Sequence, residues 1–128
     1  MANHIETGLC GEEAVAAYLE SFGWEIVARR WRDRQPGGLR TDVDLVARSA
    51  EGVWHFVEVK TRGEAAQSGG DFAPERALTA AKMARMTAAA ERYMAQERLS
   101  GELSLDLAAV VFGPGGAPVI RYYPNLSR

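Results

Sequence analysis

A chain of 128 residues, 47% hydrophobic and 25% charged, is long enough to bury a two-layer core, and residues 1–128 are expected to form a single domain. A net charge of -2 and a pI near 5.7 exclude the strongly basic footprint, above about pI 9, of a bulk nucleic-acid binder. No stretch approaches the roughly 20 apolar residues of a membrane span. Cys10 is the only cysteine, so no internal disulfide can form, and Met1 to Glu6 lack the basic-then-apolar pattern of a secretory signal. A cytoplasmic location away from membranes is expected.

Ile5 to Phe22 reads as a helix, because Ile5, Leu9, Ala16 and Leu19 follow helical spacing and Gly23 ends the run. Glu12 falls on that apolar stripe, an unusual place for an acid, since Glu is seldom buried unpartnered; the adjacent Glu13 competes for the same role. Trp24 to Trp31 reads as a strand. Arg32 to Arg40 is a Gly/Pro-bearing connection within a segment crowded by Arg29, Arg30, Arg32, Arg34 and Arg40.

Thr41 to Ala47 reads as a second strand, with Asp42, Asp44 and Val46 on one face and Val43, Leu45 and Ala47 on the other. After a turn near Ser49 to Gly52 comes a third strand. In it Val53, His55, Val57 and Val59 alternate with Trp54, Phe56, Glu58 and Lys60. Glu58 and Lys60 therefore stand side by side at the end of an otherwise apolar row. If the second and third strands pair, Asp44 meets them there.

Gly63 to Pro74 looks like a mobile loop. Pro74 to about Arg98 is an Ala-rich helix of strong intrinsic propensity, and Leu103 to Phe112 and Pro118 to Tyr123 are two more strands joined by Gly113 to Gly116. The order αβββαββ indicates an α/β fold, a mixed central sheet flanked by helices. Three strands form a meander, and the long helix crosses over to a fourth strand parallel to its neighbour.

Two carboxylates and a lysine suit metal-assisted phosphodiester cleavage. Mg²⁺ takes hard oxygen ligands, and Asp44, Glu58 and the backbone carbonyl of Val59 supply them. Lys60 would orient the attacking water or stabilise the five-coordinate transition state, and Glu12 would add a third acid. Lysine usage supports this, because only Lys60 and Lys82 are lysines among 15 basic residues. Lysine is a compact ammonium whose pKa shifts readily, unlike arginine. The residues alone also allow a plainer account, an exposed polar strand face with a Glu–Lys pair worth little energy.

The ordered motifs resemble the PD-(D/E)XK nuclease superfamily, and within it the small bacterial YraN family of predicted endonucleases. Thr7-Gly8 and Gly11-Glu12-Glu13-Ala14 look like the family's opening helix motif. Arg29-Arg30-Trp31-Arg32 resembles its Arg-Asn-aromatic-Arg strand end. Asp42-Val43-Asp44-Leu45-Val46-Ala47 and Phe56-Val57-Glu58-Val59-Lys60-Thr61-Arg62 match its two site strands, and Lys82 with Arg85 matches its second helix. The resemblance implies a restriction-endonuclease-like αβββαβ core. It further implies Mg²⁺ or Mn²⁺ held by Asp44 and Glu58, Lys60 as catalytic lysine and Glu12 as supporting acid. The chain departs from the pattern at Asp42, where the family has Glu, and at Arg30, where it has Asn; its loop after Arg32 is also longer.

The expected partner is nucleic acid, DNA rather than RNA, and a branched or structured substrate follows by fold analogy alone. Arg30, Arg32, Arg62, Lys82 and Arg85 would contact phosphates, with Lys82, Arg85 and Arg92 near one line along their helix. A non-catalytic nucleic-acid-binding module on the same fold is the alternative. A third reading, an assembly protein using the Pro118–Tyr123 edge with Arg121 blunting it, allows a homodimer or protein partner. His55 and the three tryptophans are expected in packing roles, Met83 and Met86 in the core, and Cys10 as a small buried hydrophobe.

Overall fold

The computed structural model describes residues 4–34, 41–62 and 78–126. Helix α1 (His4–Glu20) leads into strands β1 (Glu25–Arg32), β2 (Asp42–Arg48) and β3 (Trp54–Arg62). Helix α2 (Ala80–Gln96) is followed by β4 (Leu103–Phe112) and β5 (Pro118–Tyr123), joined through a short 3-10 turn at Pro114–Gly116. The sheet is mixed, in the order β1-β2-β3-β4-β5. β3 and β4 run parallel and every other pair is antiparallel, so α2 is the crossover that parallel pairing requires. Among the described residues no helix is long and apolar enough to cross a membrane.

The two helices cover opposite faces of the sheet. Val15, Ala16 and Leu19 of α1, at helical spacing, bury against Leu45, Val57 and Val110. Met86, Ala90 and Tyr93 of α2 bury against Val46, Phe56 and Leu107. Both sides of the central strands are thus covered, which is why β4 reads as an almost unbroken apolar run. α1 stops where expected: Gly23 takes a φ of 84°, and the Trp24 N–H folds back onto the Leu19 carbonyl at 3.2 Å. Gly52, with a φ of 87°, makes the β2–β3 turn, donating to the Ser49 carbonyl at 2.9 Å.

Four expectations need correction. α2 does not begin at Pro74 within the described chain. Leu78 and Thr79 are non-helical, and the Thr79 hydroxyl accepts the Lys82 N–H at 3.2 Å, fixing Ala80 as the first helical residue. Residues 74–77, like the expected loop from Gly63, lie outside the described residues. Strict alternation in β2 fails too, because Val43 packs with Val46 in the cluster beneath α2. The partner strand turns at the same level. Arg30, between the paired Arg29↔Leu45 and Trp31↔Val43, has a φ of 49°, and Ala28 and Trp31 both face α2. Cys10 is exposed, since the buried stripe of α1 runs through Gly11, Val15 and Leu19 and Cys10 lies off it. Finally, α1 ends at Glu20, two residues before Phe22, which is 60% exposed.

The packing roles hold. Trp24 stacks on His55 at 4.1 Å, Trp31 meets Tyr93 edge-on, and Trp54 donates from Nε1 to the Ser100 carbonyl at 3.2 Å. His55 Nδ1 lies 2.6 Å from the carboxylate of the fully buried Asp106. Met86 is buried and Met83 packs beside it.

Candidate active site

The site forms where two strands separate. Ladder pairing between β2 and β3 runs from Arg48↔Trp54 only to Leu45↔Val57. At the next residue Asp44 Oδ2 accepts the Val59 backbone N–H at 2.8 Å, so its carboxyl fills the opening between the strands. Glu58 follows Trp54 and Phe56 on the α2 face, and its side chain is only 10% exposed. Both ammonium groups converge on its Oε1, Lys82 Nζ at 2.8 Å and Lys60 Nζ at 3.5 Å.

Glu12 reaches the same place from α1. It lies 3.7 Å from the Arg30 guanidinium, and the Glu58 charge is felt at its carboxyl. The competition between neighbouring acids is resolved by direction: Glu13 is exposed and pairs with Arg29 at 2.6 Å on the surface. α1 can approach so closely because residue 11 is glycine; a Cβ there would lie 2.1 Å from the Thr61 hydroxyl of β3.

Electrostatics separate the groups. Burial and the Glu58 charge push the Asp44 carboxyl up to about 7, against the Val59 hydrogen bond. Burial also lifts Glu12, opposed by Arg30. Burial works to lower both lysines, with opposite outcomes. Lys60 ends below the usual lysine value, with Lys82 adding to the fall. For Lys82 the hydrogen bond and charge of Glu58 outweigh burial and raise it. Lys82 is thus the firm cation of Glu58, and Lys60 the ammonium that yields its proton more readily.

The other expected contact residues lie outside this cluster. Arg32 is exposed and sits 3.6 Å from Asp42, which places Asp42 in a surface pair. Arg62, at the end of β3, and Arg85, on α2, are exposed. Arg92, in line with Lys82 and Arg85, pairs with the buried Asp33. The structure therefore divides that line, sending Lys82 to Glu58 and Arg92 to the β1–β2 connection. Sequence reasoning missed Lys82 as a partner of Glu58, although the rarity of lysine singled it out.

Fold and site together define an α/β protein with a restriction-endonuclease-like core and a carboxylate–lysine cluster at the parting of β2 and β3. The profile of the family described as "Uncharacterised protein family UPF0102" matches residues 11–110, and the chain belongs to that family, the YraN family its motifs resemble. A UPF0102 protein of Rhodococcus opacus (strain B4) is 36% identical over 124 residues, spanning 95% of this chain and 96% of the relative. One from Nocardia farcinica is 38% identical over 116 residues, with 90% and 84% covered. One from Trichlorobacter lovleyi is 34% identical over 119 residues, with 92% and 87% covered.

Proposed function

We propose that the protein is a Mg²⁺- or Mn²⁺-dependent endonuclease that hydrolyses phosphodiester bonds in DNA, with branched or otherwise structured DNA as substrate. The observation that supports it is the convergence of Asp44, Glu58 and Lys60 where β2 and β3 part. The donor set fits a hard divalent cation. Its carboxylate oxygens are the ligands Mg²⁺ and Mn²⁺ favour, and the raised Asp44 carboxyl marks a place where negative charge is under-compensated. Among the described residues no three His, Cys, Asp or Glu side chains form a ready-made ligand set. Asp44, Glu58 and the Val59 carbonyl would hold the ion, with water and substrate phosphate completing its shell. When bound, it would lower the pKa of a water molecule and offset charge on the phosphate.

The chain's own groups do the rest. Lys60, on the same strand as Glu58, presents its ammonium to the reacting phosphate, orienting the water or stabilising charge that grows on the phosphoryl oxygens. Glu12 supports the cluster from α1 while Arg30 balances its charge. Arg30, Arg32, Arg62, Lys82 and Arg85 contact flanking phosphates, which position the duplex without reading its sequence.

Cleavage of a four-way DNA junction in Mn²⁺ tests this directly. The wild type should cut. Glu58→Ala and Lys60→Ala should each lose at least about a hundredfold in rate while still retaining the junction in a gel-shift assay. A wild type that binds junctions but cuts nothing in Mg²⁺, Mn²⁺ or Co²⁺ would instead mark a non-catalytic binding module.

A further inference from the structure

Resting on the metal reading above, we infer that Lys82 is an exchangeable counter-ion: it holds Glu58 in the metal-free protein, yields that oxygen to the divalent cation, and is thereby released to the substrate phosphate. Glu58 Oε1 accepts a hydrogen bond from Lys82 Nζ at 2.8 Å and is ion-paired with Lys60 Nζ at 3.5 Å. A carboxylate oxygen offers two lone-pair directions, and the two ammonium groups take up both. A cation entering at this oxygen must displace one of them.

Lys82 is the closer of the two, and it is also the one that reaches Glu58 from a different element. Lys60 stands two residues from Glu58 on the same strand, so its stem stays on the face that carries Glu58. Lys82 belongs to the first turn of α2 and can swing away from the strand face, its side chain being as exposed as that of Lys60, 28% against 29%. That turn holds no acidic residue, so Lys82 adds its charge to the positive end of the helix. Among the described residues the carboxylates of the site offset this, which gives Lys82 a reason to fold inward when no cation is present.

Charge balance points the same way. Glu12, Asp44 and Glu58 face Arg30, Lys60 and Lys82, three acids against three bases. At a pH above the Asp44 titration near 7, where all three acids are ionised, the metal-free cluster is therefore neutral and has little attraction for a phosphodiester. A divalent cation leaves two positive charges in surplus, with Lys82 and the α2 N-terminus beside them. Cation binding and phosphate binding are then cooperative through one side chain, and each ligand tightens the other by the same factor.

Mn²⁺ calorimetry on wild type, Lys82→Met and Lys82→Gln tests the exchange; the Gln variant keeps a hydrogen-bond donor for Glu58 should the Met variant fail to fold. Without DNA, removing the lysine should tighten Mn²⁺ binding by about tenfold. Junction binding, read by fluorescence anisotropy, should fall several times further in the variants when Ca²⁺ or Mn²⁺ is present than in EDTA, and an equal fall in both conditions overturns the release of Lys82 to the phosphate. Equal or weaker Mn²⁺ affinity in both variants overturns the exchange and leaves the metal site intact. No Mn²⁺ binding by the wild type, with or without DNA, overturns the metal reading and the exchange with it.

Discussion

Asp44 shows how much a single side chain can carry. Its carboxyl titrates near 7 rather than at the ordinary 3.8, because burial and Glu58 both oppose its charge. The folded state therefore keeps a proton that the unfolded chain has lost between those two values. Stability of the metal-free protein contributed through this group falls as pH rises through that window, and is restored on acidification towards 4. Asp44→Asn keeps an acceptor for the Val59 N–H but removes the charge. In urea unfolding with EDTA, the variant should be more stable than wild type by about 1–3 kcal/mol at pH 8, the difference shrinking towards pH 5. A difference independent of pH would count against charge crowding at this site. Arg30 tells a related story. Its φ of 49° suits Asn, the residue of the family pattern, better than Arg. Here the arginine tolerates that backbone and offers Glu12 a charge partner in return.

The helices and strands were legible to different degrees. α1 and β3 follow their periods, and both were readable: α1 buries one stripe, while β3 alternates without interruption between two covered faces. The start of α2 was not, since an Ala-rich stretch favours helix over many residues and only the Thr79 cap selects the first turn. The close contact between α1 and β3 was invisible in the sequence, although it fixes where Glu12 enters the site. Gly11→Ala tests it. Alanine is the better helix former by about 1 kcal/mol, but its Cβ would strike the stiff, β-branched Thr61. The clash should win, with a net loss of about 1–2 kcal/mol in thermal unfolding. Adding Thr61→Ala should recover most of it, because the two changes share one contact. Additive losses in the double variant would refute that close approach.

At the level of the whole molecule, a buried polar network holds the sheet on the face opposite Glu58. Asp106 of β4 accepts from the Ser104 hydroxyl at 2.6 Å, from the Asn125 N–H at 3.2 Å and from the Tyr122 phenol, and it lies against His55 of β3. Burial and the charge of Asp106 hold the Tyr122 phenol above its usual range, so it stays a donor. β3, β4, β5 and the C-terminal segment thus share one carboxylate, and Asp106→Ala should cost about 3–5 kcal/mol in chemical denaturation. Asp106→Asn should cost less, and Mn²⁺ binding by whatever remains folded should be unchanged. A loss below about 1 kcal/mol in the alanine variant would show that the network is not holding the sheet. By itself the sequence determined the element order, the parallel crossover and the acids and lysine of the site, because apolar period and residue type are local and β3 alternates without interruption. Only the tertiary structure decided that β2 turns at Asp44, that Glu12 rather than Glu13 enters the site, and that Lys82 closes on Glu58. The physical reason is that these contacts depend on where strands part and helices approach, and on charges that become neighbours only when the sheet is covered on both faces.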